Sequence, residues 1–256
     1  MLLYLLGTAM QLRRLSRSAP VLLQPLIAVG IPALVLHALT TISVIYTPAG
    51  IHLGFFSTGG LVTLVMTAFV MLASLRLPVH NLCVLIFPAS ALGIIGSLLG
   101  ESAFVPRQEM PWELLLHVLI SITAYSILFM AACQSVLLAI QEHYLRARHG
   151  LAFIRLLPPL ETMETLLFSM LWTGLVVLTV AILSGFAFLE DMFAQRVVHH
   201  TVLSSLSWLL YATLLAGHKL LGWRGTTAVR WTLIAFLLLV LGYFGSKFVI
   251  EILLDA

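Results

Sequence analysis

The chain of 256 residues is a succession of long apolar runs separated by short polar breaks. About 18 consecutive apolar residues can span a bilayer core, and in lipid only helices or closed barrels satisfy every backbone polar group. We therefore predict an all-α fold, a polytopic transmembrane helix bundle of about eight spans. The eight runs cover residues Leu2–Leu12, Pro20–Val44, Thr58–Leu75, Val79–Leu98, Trp112–Gln141, Thr162–Leu189, His199–Gly217 and Arg230–Leu253.

Composition supports this class and the expectation of a single membrane domain over residues 1–256. The chain is 61% hydrophobic and 9% charged, whereas a soluble domain averages about 25% charged residues. All breaks are short, so we expect no soluble catalytic appendage. The first run is the weakest, because its helix would cover about 18 Å of a core about 30 Å thick. It could tilt, extend through Arg13, or belong to a longer segment that starts upstream.

Basic residues indicate the orientation. Ten of the thirteen lysines and arginines fall in the breaks after the first, third, fifth and seventh runs. Because loops rich in Lys and Arg stay on the cytoplasmic side, both termini are expected on the extracytoplasmic side, provided that the first run spans. The chain is accordingly predicted to be a multi-pass protein of a bacterial inner membrane, with the lipid bilayer as its surroundings.

Histidines at and within the apolar runs need an explanation, because ionisable side chains are costly in lipid. A neutral imidazole can ligate haem iron. Under the predicted topology His37, His117 and His200 lie near the outer boundary. His218 ends the seventh run on the inner side, about 25–30 Å away. Since successive helical residues point about 100° apart, His199 and His200 cannot both face one pocket.

One polar stripe marks a helix face that is turned away from lipid. His117, Ser121 and Tyr125 recur at positions i, i+4 and i+8 of the fifth run, so they share one face of a helix. Less specific explanations exist for the other histidines. A histidine at a helix end can simply meet water and lipid headgroups, and His37 can hydrogen-bond a neighbouring helix.

Several motifs resemble the cytochrome c assembly family, and in particular its HemX-type inner membrane proteins. The resemblance covers essentially the whole chain and is strongest over residues 112–253. It implies a membrane protein that handles haem during the maturation of c-type cytochromes. The motifs, in chain order, are His117–Tyr125, Pro158–Glu164, His200–Ser204, Gly217–Gly225 and Tyr243–Ser246.

The chain also departs from the family pattern. The CcsA members of the family use histidines at the positions of His117 and His218 and carry a tryptophan-rich loop between those helices. Here the corresponding region, Ser184–His200, contains no tryptophan, and Phe248–Ala256 contains no histidine. We therefore expect the haem-binding fold without the surface that transfers haem to an apocytochrome.

The leading hypothesis is a haem-binding integral membrane protein associated with cytochrome c assembly. His117 is the expected principal iron ligand, with His200 or His37 opposite it and His218 in a supporting position or at a separate inner site. The spans contain no carboxylate pair and no nucleophile–base set, so neither catalytic residues nor an enzyme activity is expected. No nucleic-acid partner is expected either.

Two alternatives remain open from the sequence. One is a non-catalytic subunit or regulator that binds a partner membrane protein. The other is a permease for a small solute, which would favour charged residues near the centres of the spans. Few are present. A haem Soret band in the purified protein would separate the haem-binding hypothesis from both.

Overall fold

A computed structural model describes residues 1–16, 23–100, 106, 108, 110–147, 157–188 and 198–253. In these ranges the chain forms eight helices of fifteen or more residues. The predicted all-α membrane helix bundle is thereby confirmed. The helices are α1 (Leu2–Ser16), α2 (Leu23–Ile45), α3 (Phe55–Ala73), α4 (Cys83–Leu99), α5 (Trp112–Arg146), α6 (Leu160–Phe188), α7 (Val198–Leu221) and α8 (Gly225–Val240).

Shorter elements link or extend these helices. An antiparallel hairpin of β1 (Tyr46–Thr47) and β2 (Gly50–Ile51) joins α2 to α3. A 3₁₀ turn, His80–Leu82, leads into α4. After α8 the chain continues as a π-helical turn (Leu241–Gly245), α9 (Ser246–Phe248) and a second π-helical turn (Val249–Leu253).

Six helical segments of the described chain are long and apolar enough to cross a membrane by themselves. The other two helices are α1 and α7. With 15 residues, α1 covers about 22 Å and is short for a bilayer core. With 24 residues, α7 is long enough, but its histidines and serines make it less apolar. The predicted number of about eight spans therefore includes two helices, α1 and α7, that are not both long and apolar enough to cross a membrane by themselves.

Two helices extend several residues beyond the apolar runs from which they were predicted, whereas α3 ends at Ala73, two residues before the predicted Leu75. α5 continues to Arg146, five residues past the predicted end at Gln141. Glu142 and Arg146 form an ion pair at positions i and i+4, which supports a polar helical turn at this end. Near the C-terminal end of the chain, α8 begins at Gly225, five residues before the predicted Arg230, and buries Ala228 and Val229 in its first turns.

The bundle consists of two groups of four helices joined through α5. Helices α1–α4 pack against one another, as do α5–α8, and α5 contacts both α3 and α8. Small residues permit the close approach of helices: Gly93 lies against Thr63 where α4 meets α3, and Gly174 lies against Leu128 where α6 meets α5.

Buried hydrogen bonds set the register between the helices. Thr67 and Ser90 share a hydrogen bond of 2.7 Å between α3 and α4. Gln134 on α5 donates to the carbonyl of Met163 on α6 at 3.0 Å. Because a side-chain donor that loses such a partner would be stranded in an apolar interior, a slip along either helix is disfavoured.

The last helical turn that the structure describes, Val249–Leu253, caps the start of α3. The Glu251 carboxylate accepts a hydrogen bond from the Phe55 amide at 2.7 Å and pairs with the Lys247 ammonium at 3.1 Å. Lys247 also donates to the carbonyl of Leu53. A carboxylate at this position satisfies a free amide of the helix N-terminus and complements its dipole.

This contact predicts a stability effect. Glu251→Ala should lower the free energy of unfolding by about 2–3 kcal/mol, because it removes a charge-assisted hydrogen bond and leaves Lys247 without its carboxylate. Thermal unfolding of the detergent-purified protein measures the change. The matched control is Glu161→Ala, since Glu161 is exposed at the start of α6. Equal midpoints for the two variants would contradict the role assigned to Glu251.

Candidate functional site

A small cavity lies between α5, α6 and α7 and contains two of the predicted site residues. Its volume is about 40 Å³, enough for a few water molecules. His117, Ser121 and Tyr125 all line it, as the stripe on the fifth run predicted, and His200 enters from α7. The lining residues are His117, Ser121, Tyr125, Leu178, Ala181, Ile182, Gly185, His200, Thr201, Ser204 and Ser205.

The hydrogen bonds of His117 define its tautomer. Its Nδ1 lies 2.9 Å from the hydroxyl of Ser184 on α6. That hydroxyl donates its only proton to the carbonyl of Ala181 at 2.8 Å. It must therefore accept from His117, whose Nδ1 carries the proton. The lone pair of the neutral ring is then on Nε2, the nitrogen with which His117 can bind a metal.

His200 is held in a similar way. Its Nδ1 lies 3.2 Å from the hydroxyl of Ser204, one turn further along α7. Nearby in the same cavity, the Tyr125 hydroxyl donates to the carbonyl of Leu239 at 2.8 Å. With Nδ1 occupied by Ser204, Nε2 is the ring nitrogen of His200 that remains for another partner.

The electrostatics of the cavity suit neutral imidazoles. The two rings line the same small cavity. Among the residues that the structure describes, the cavity lining includes no carboxylate that could offset a charge. Neutral imidazole is the form that ligates metals.

The two imidazoles of the cavity restrict the kind of metal ion that could bind there. In the described ranges no group of three or more His, Cys, Asp or Glu side chains could hold a metal ion. A structural zinc ion needs four such ligands. Two imidazoles suit an iron whose remaining ligands come from a porphyrin.

A second, larger cavity adjoins the first. This cavity, which we call the α6–α7 groove, has a volume of about 330 Å³. It shares Ile182 and Ser205 with the first cavity, which contains His117 and His200 and which we call the histidine cavity. The histidine cavity alone is far too small for a porphyrin, whereas the groove is in the size range of small-molecule sites. The groove is lined by Thr179, Ile182, Leu183, Ser205, Trp208 and Leu209.

The structure places His37 elsewhere. It lies on α2, only 1% exposed, with its Nδ1 3.3 Å from the hydroxyl of Tyr4 on α1. Its Nε2 is buried without a hydrogen-bond partner among the described residues. His37 therefore belongs to the α1–α4 group of helices, whereas His117 and His200 meet among α5, α6 and α7.

His218 lies at the opposite end of α7 from His200, about 27 Å away for eighteen helical residues. Its ring stacks on Phe168, with centroids 3.5 Å apart and planes inclined by 16°. Its Nδ1 donates to the carbonyl of Trp223 at 2.8 Å. The ring thus closes the turn between α7 and α8, where Gly222 adopts a positive φ of 68°.

The serines that orient the imidazoles were not predicted from the sequence. Ser204 follows His200 by four residues, so the spacing along α7 contains a usable signal. Ser184 lies 67 residues from His117, and nothing local in the sequence relates the two. Only the packing of α6 against α5 brings them together.

The fold and the cavity define a multi-pass membrane protein with a paired-histidine site. The family model described as Cytochrome C assembly protein matches residues 27–254. The chain belongs to this family, and the resemblance found in the histidine-bearing motifs is confirmed. No solved structure matches the chain.

Curated relatives agree with this assignment. The inner membrane protein YpjD of Escherichia coli K12 is 27% identical over 223 residues, which are 86% of this chain and 84% of that protein. A protein of Azospirillum brasilense, named as an uncharacterized 28.8 kDa protein in the nifR3-like 5′ region, is 37% identical over 141 residues, 54% of this chain and 52% of that protein. The chain is thus a multi-pass inner membrane protein, as the apolar runs predicted.

The contacts of His218 predict a role in stability. His218→Ala should destabilise the protein by about 1–3 kcal/mol, because it removes the stacking on Phe168 and the hydrogen bond to the turn carbonyl. Chemical or thermal unfolding in detergent tests this expectation. His199→Ala is the control, since His199 is exposed on the same helix. A His218→Ala protein as stable as the His199→Ala protein would exclude the role in the turn.

Proposed function

We propose that this protein binds haem non-covalently at the cavity formed by α5, α6 and α7 and serves cytochrome c assembly as a haem-handling protein. The observation that carries the proposal is the meeting of His117 and His200 in one cavity, each with its Nδ1 engaged by a serine hydroxyl. His117 is the principal ligand and His200 the partner.

The residues present fit this group. Haem, when bound, supplies an iron that accepts one or two imidazole nitrogens. His117 and His200 would hold it through their Nε2 atoms, and Ser184 and Ser204 would orient the two rings. Hydrogen bonds of this kind, from the far nitrogen of a ligating imidazole, raise its basicity and keep its ring in place. The α6–α7 groove adjoins this cavity and adds Leu183, Trp208 and Leu209 to the surroundings of the site.

The proposed role is non-enzymatic. In the described part of the chain the cavity offers imidazoles and hydroxyls but no acid–base pair, so its residues bind, orient and exclude water. The tryptophan-free segment Ser184–His200 supports haem binding without transfer to an apocytochrome. Residues 189–197 of that segment lie outside the described residues. A partner membrane protein, to which the haem-loaded form would be presented, is part of this proposal.

Both termini are proposed to face the extracytoplasmic side. Ten of the thirteen lysines and arginines fall in the breaks assigned to the cytoplasmic side, and three fall on the other side. A phosphatase reporter, which is active only outside the cytoplasm, should be active when fused after Ala256. The same reporter fused after Arg146, at the cytoplasmic end of α5, should be inactive. Activity of the second fusion alone would show that the orientation is inverted.

Histidine substitutions test the haem site. His117→Ala should lose most of the haem and the Soret band of the purified protein, because the principal ligand is gone. His200→Ala should keep less haem than the wild type and shift the band, while Ser184→Ala should weaken haem affinity about 10–100-fold. Absorption spectra and haem content per protein measure these effects.

The matched control is His199→Ala, which removes the exposed neighbour of His200 and should change little. Full haem content in His117→Ala, together with loss of the band in His218→Ala, would move the site to the inner end of α7. Wild-type protein that stays colourless after purification from haem-replete cells and does not bind added haemin would favour a membrane subunit that only binds a partner protein.

A further inference from the structure

We propose that one anionic phospholipid binds to the lipid-facing side of α6 and α7, with its phosphate at Lys219 and an acyl chain in the α6–α7 groove. The lipid is a second ligand, of a different chemical class from haem, on a surface beside the histidine cavity. Its binding goes beyond the proposed function and does not require haem. Two features define this surface, an apolar groove that opens to the bilayer and a lysine to which the described residues offer no carboxylate.

The groove opens to lipid at mid-helix. Leu183 and Leu209 form its rim, with 61% and 53% of their surface exposed. Thr179 lies nine residues before the end of α6, and Trp208 lies ten residues after the start of α7. At 1.5 Å per residue these positions are about 14–15 Å from the helix ends, inside the hydrocarbon core. A ligand that enters here comes from the membrane interior.

The wall of the groove suits an acyl chain. The Trp208 indole donates to the Thr179 hydroxyl at 2.8 Å, and Thr179 in turn donates to the carbonyl of Leu175 at 2.7 Å. Because these donors are already engaged, a polar solute would gain little from them. The rest of the lining is mainly aliphatic, and its volume of about 330 Å³ has room for roughly ten groups of the size of a water molecule. A segment of a flexible hydrocarbon chain fits such a space.

Lys219 supplies the charge. It lies two residues before the end of α7, on the side that the basic residues assign to the cytoplasm. Its Nζ is 4.5 Å from the centre of the Trp172 ring on α6, so a cation–π contact holds the ammonium at the surface shared by the two helices. Among the residues that the structure describes, no carboxylate lies within ion-pair distance of Lys219. A cation of this kind at the membrane boundary is complementary to a lipid phosphate.

Helical periodicity places the lysine and the groove on the same side of the two helices. Trp172 and Thr179 are seven residues apart on α6, and Trp208 and Lys219 are eleven apart on α7. At 100° per residue, the members of each pair lie within about 20° of one helix face. Along the helix axes they are separated by about 10 Å and about 16 Å. One leaflet of a core about 30 Å thick is about 15 Å deep, so a chain attached to a phosphate at Lys219 reaches the groove.

The charge of the site distinguishes between lipid headgroups. Phosphatidylglycerol presents a phosphate without a cation, and the Lys219 ammonium would pair with it directly. Phosphatidylcholine carries its own cation beside the phosphate, so it gains less from the lysine. We therefore expect the surface to prefer the anionic lipid over the zwitterionic one.

Mass spectrometry of the intact protein–lipid complex tests the headgroup contact. The full-length protein in detergent should retain one added phosphatidylglycerol under conditions that remove phosphatidylcholine. Lys219→Gln should lower the affinity for phosphatidylglycerol about fivefold, whereas Lys219→Arg should stay within about twofold of wild type. The matched control is Arg230→Gln, which removes an exposed cation of α8 and should also stay within about twofold.

The same measurement tests the chain contact. Leu209→Trp should fill the groove and lower the affinity for phosphatidylglycerol at least about tenfold. Leu206→Trp is the control, since Leu206 is 42% exposed on the same helix but does not line the groove. Excess inorganic phosphate should not displace the lipid, because the acyl chain contributes most of the contact.

A second measurement does not depend on the folding of the filled variant. Bromine atoms in an acyl chain quench the tryptophans that the chain contacts. In phosphatidylcholine vesicles, a minor share of brominated phosphatidylglycerol should quench the protein more than the same share of brominated phosphatidylcholine. Trp208→Phe should lose most of this difference. Trp112→Phe, which removes a 66% exposed tryptophan at the start of α5, should retain it.

The outcomes separate this site from the haem site and from ordinary boundary lipid. His117→Ala should retain phosphatidylglycerol as the wild type does, whatever its haem content. Equal affinity of the wild type for the two lipids would overturn the proposal, as would unchanged retention in Lys219→Gln or equal quenching differences in the two tryptophan variants. Displacement by inorganic phosphate would show an anion contact without the acyl chain, and the proposal would then be wrong.

Discussion

The absence of water from the bilayer core is the constraint on which the rest of this structure depends. An unsatisfied polar group in apolar surroundings is costly, so a polar side chain gains stability from a partner inside the bundle. Thr67 pairs with Ser90, and Gln134 reaches the backbone of α6. The same requirement places Glu251 on the first turn of α3. Polar contacts thus define how helices with largely apolar surfaces are arranged.

The histidine cavity follows the same rule, that a polar group buried in the bundle gains stability from a hydrogen-bond partner. His117 can remain neutral in the bundle because the Ser184 hydroxyl accepts its Nδ1 proton and donates its own proton to the carbonyl of Ala181. The Nδ1 of His200 is likewise hydrogen-bonded to the Ser204 hydroxyl. The satisfied state of His117 has a chemical consequence, since it leaves the lone pair of that ring on Nε2. A neutral imidazole with a lone pair on Nε2 is the form that the proposed haem site requires.

Helix α7 separates two chemically different environments. At one end His200 lies in the cavity, and at the other His218 is stacked on Phe168 and bonded to the turn before α8. The same residue type thus has an open nitrogen at one end and a packed ring at the other. Between these ends, Trp208 faces the groove and Ser207 donates to the carbonyl of Ala235 at 2.7 Å. One helix therefore joins the cavity, the groove and the turn.

The sequence alone determined the class of the protein, because long apolar runs have few solutions in a membrane. It also determined the common face of His117, Ser121 and Tyr125, which depends only on helical periodicity. Tertiary structure decided which histidines meet. Depth in the membrane placed His37 level with His117, but depth contains no information about which helices are neighbours. The pairing of His117 with Ser184 and the groove beside Trp208 arise from contacts between helices distant in sequence, so only the packed bundle reveals them.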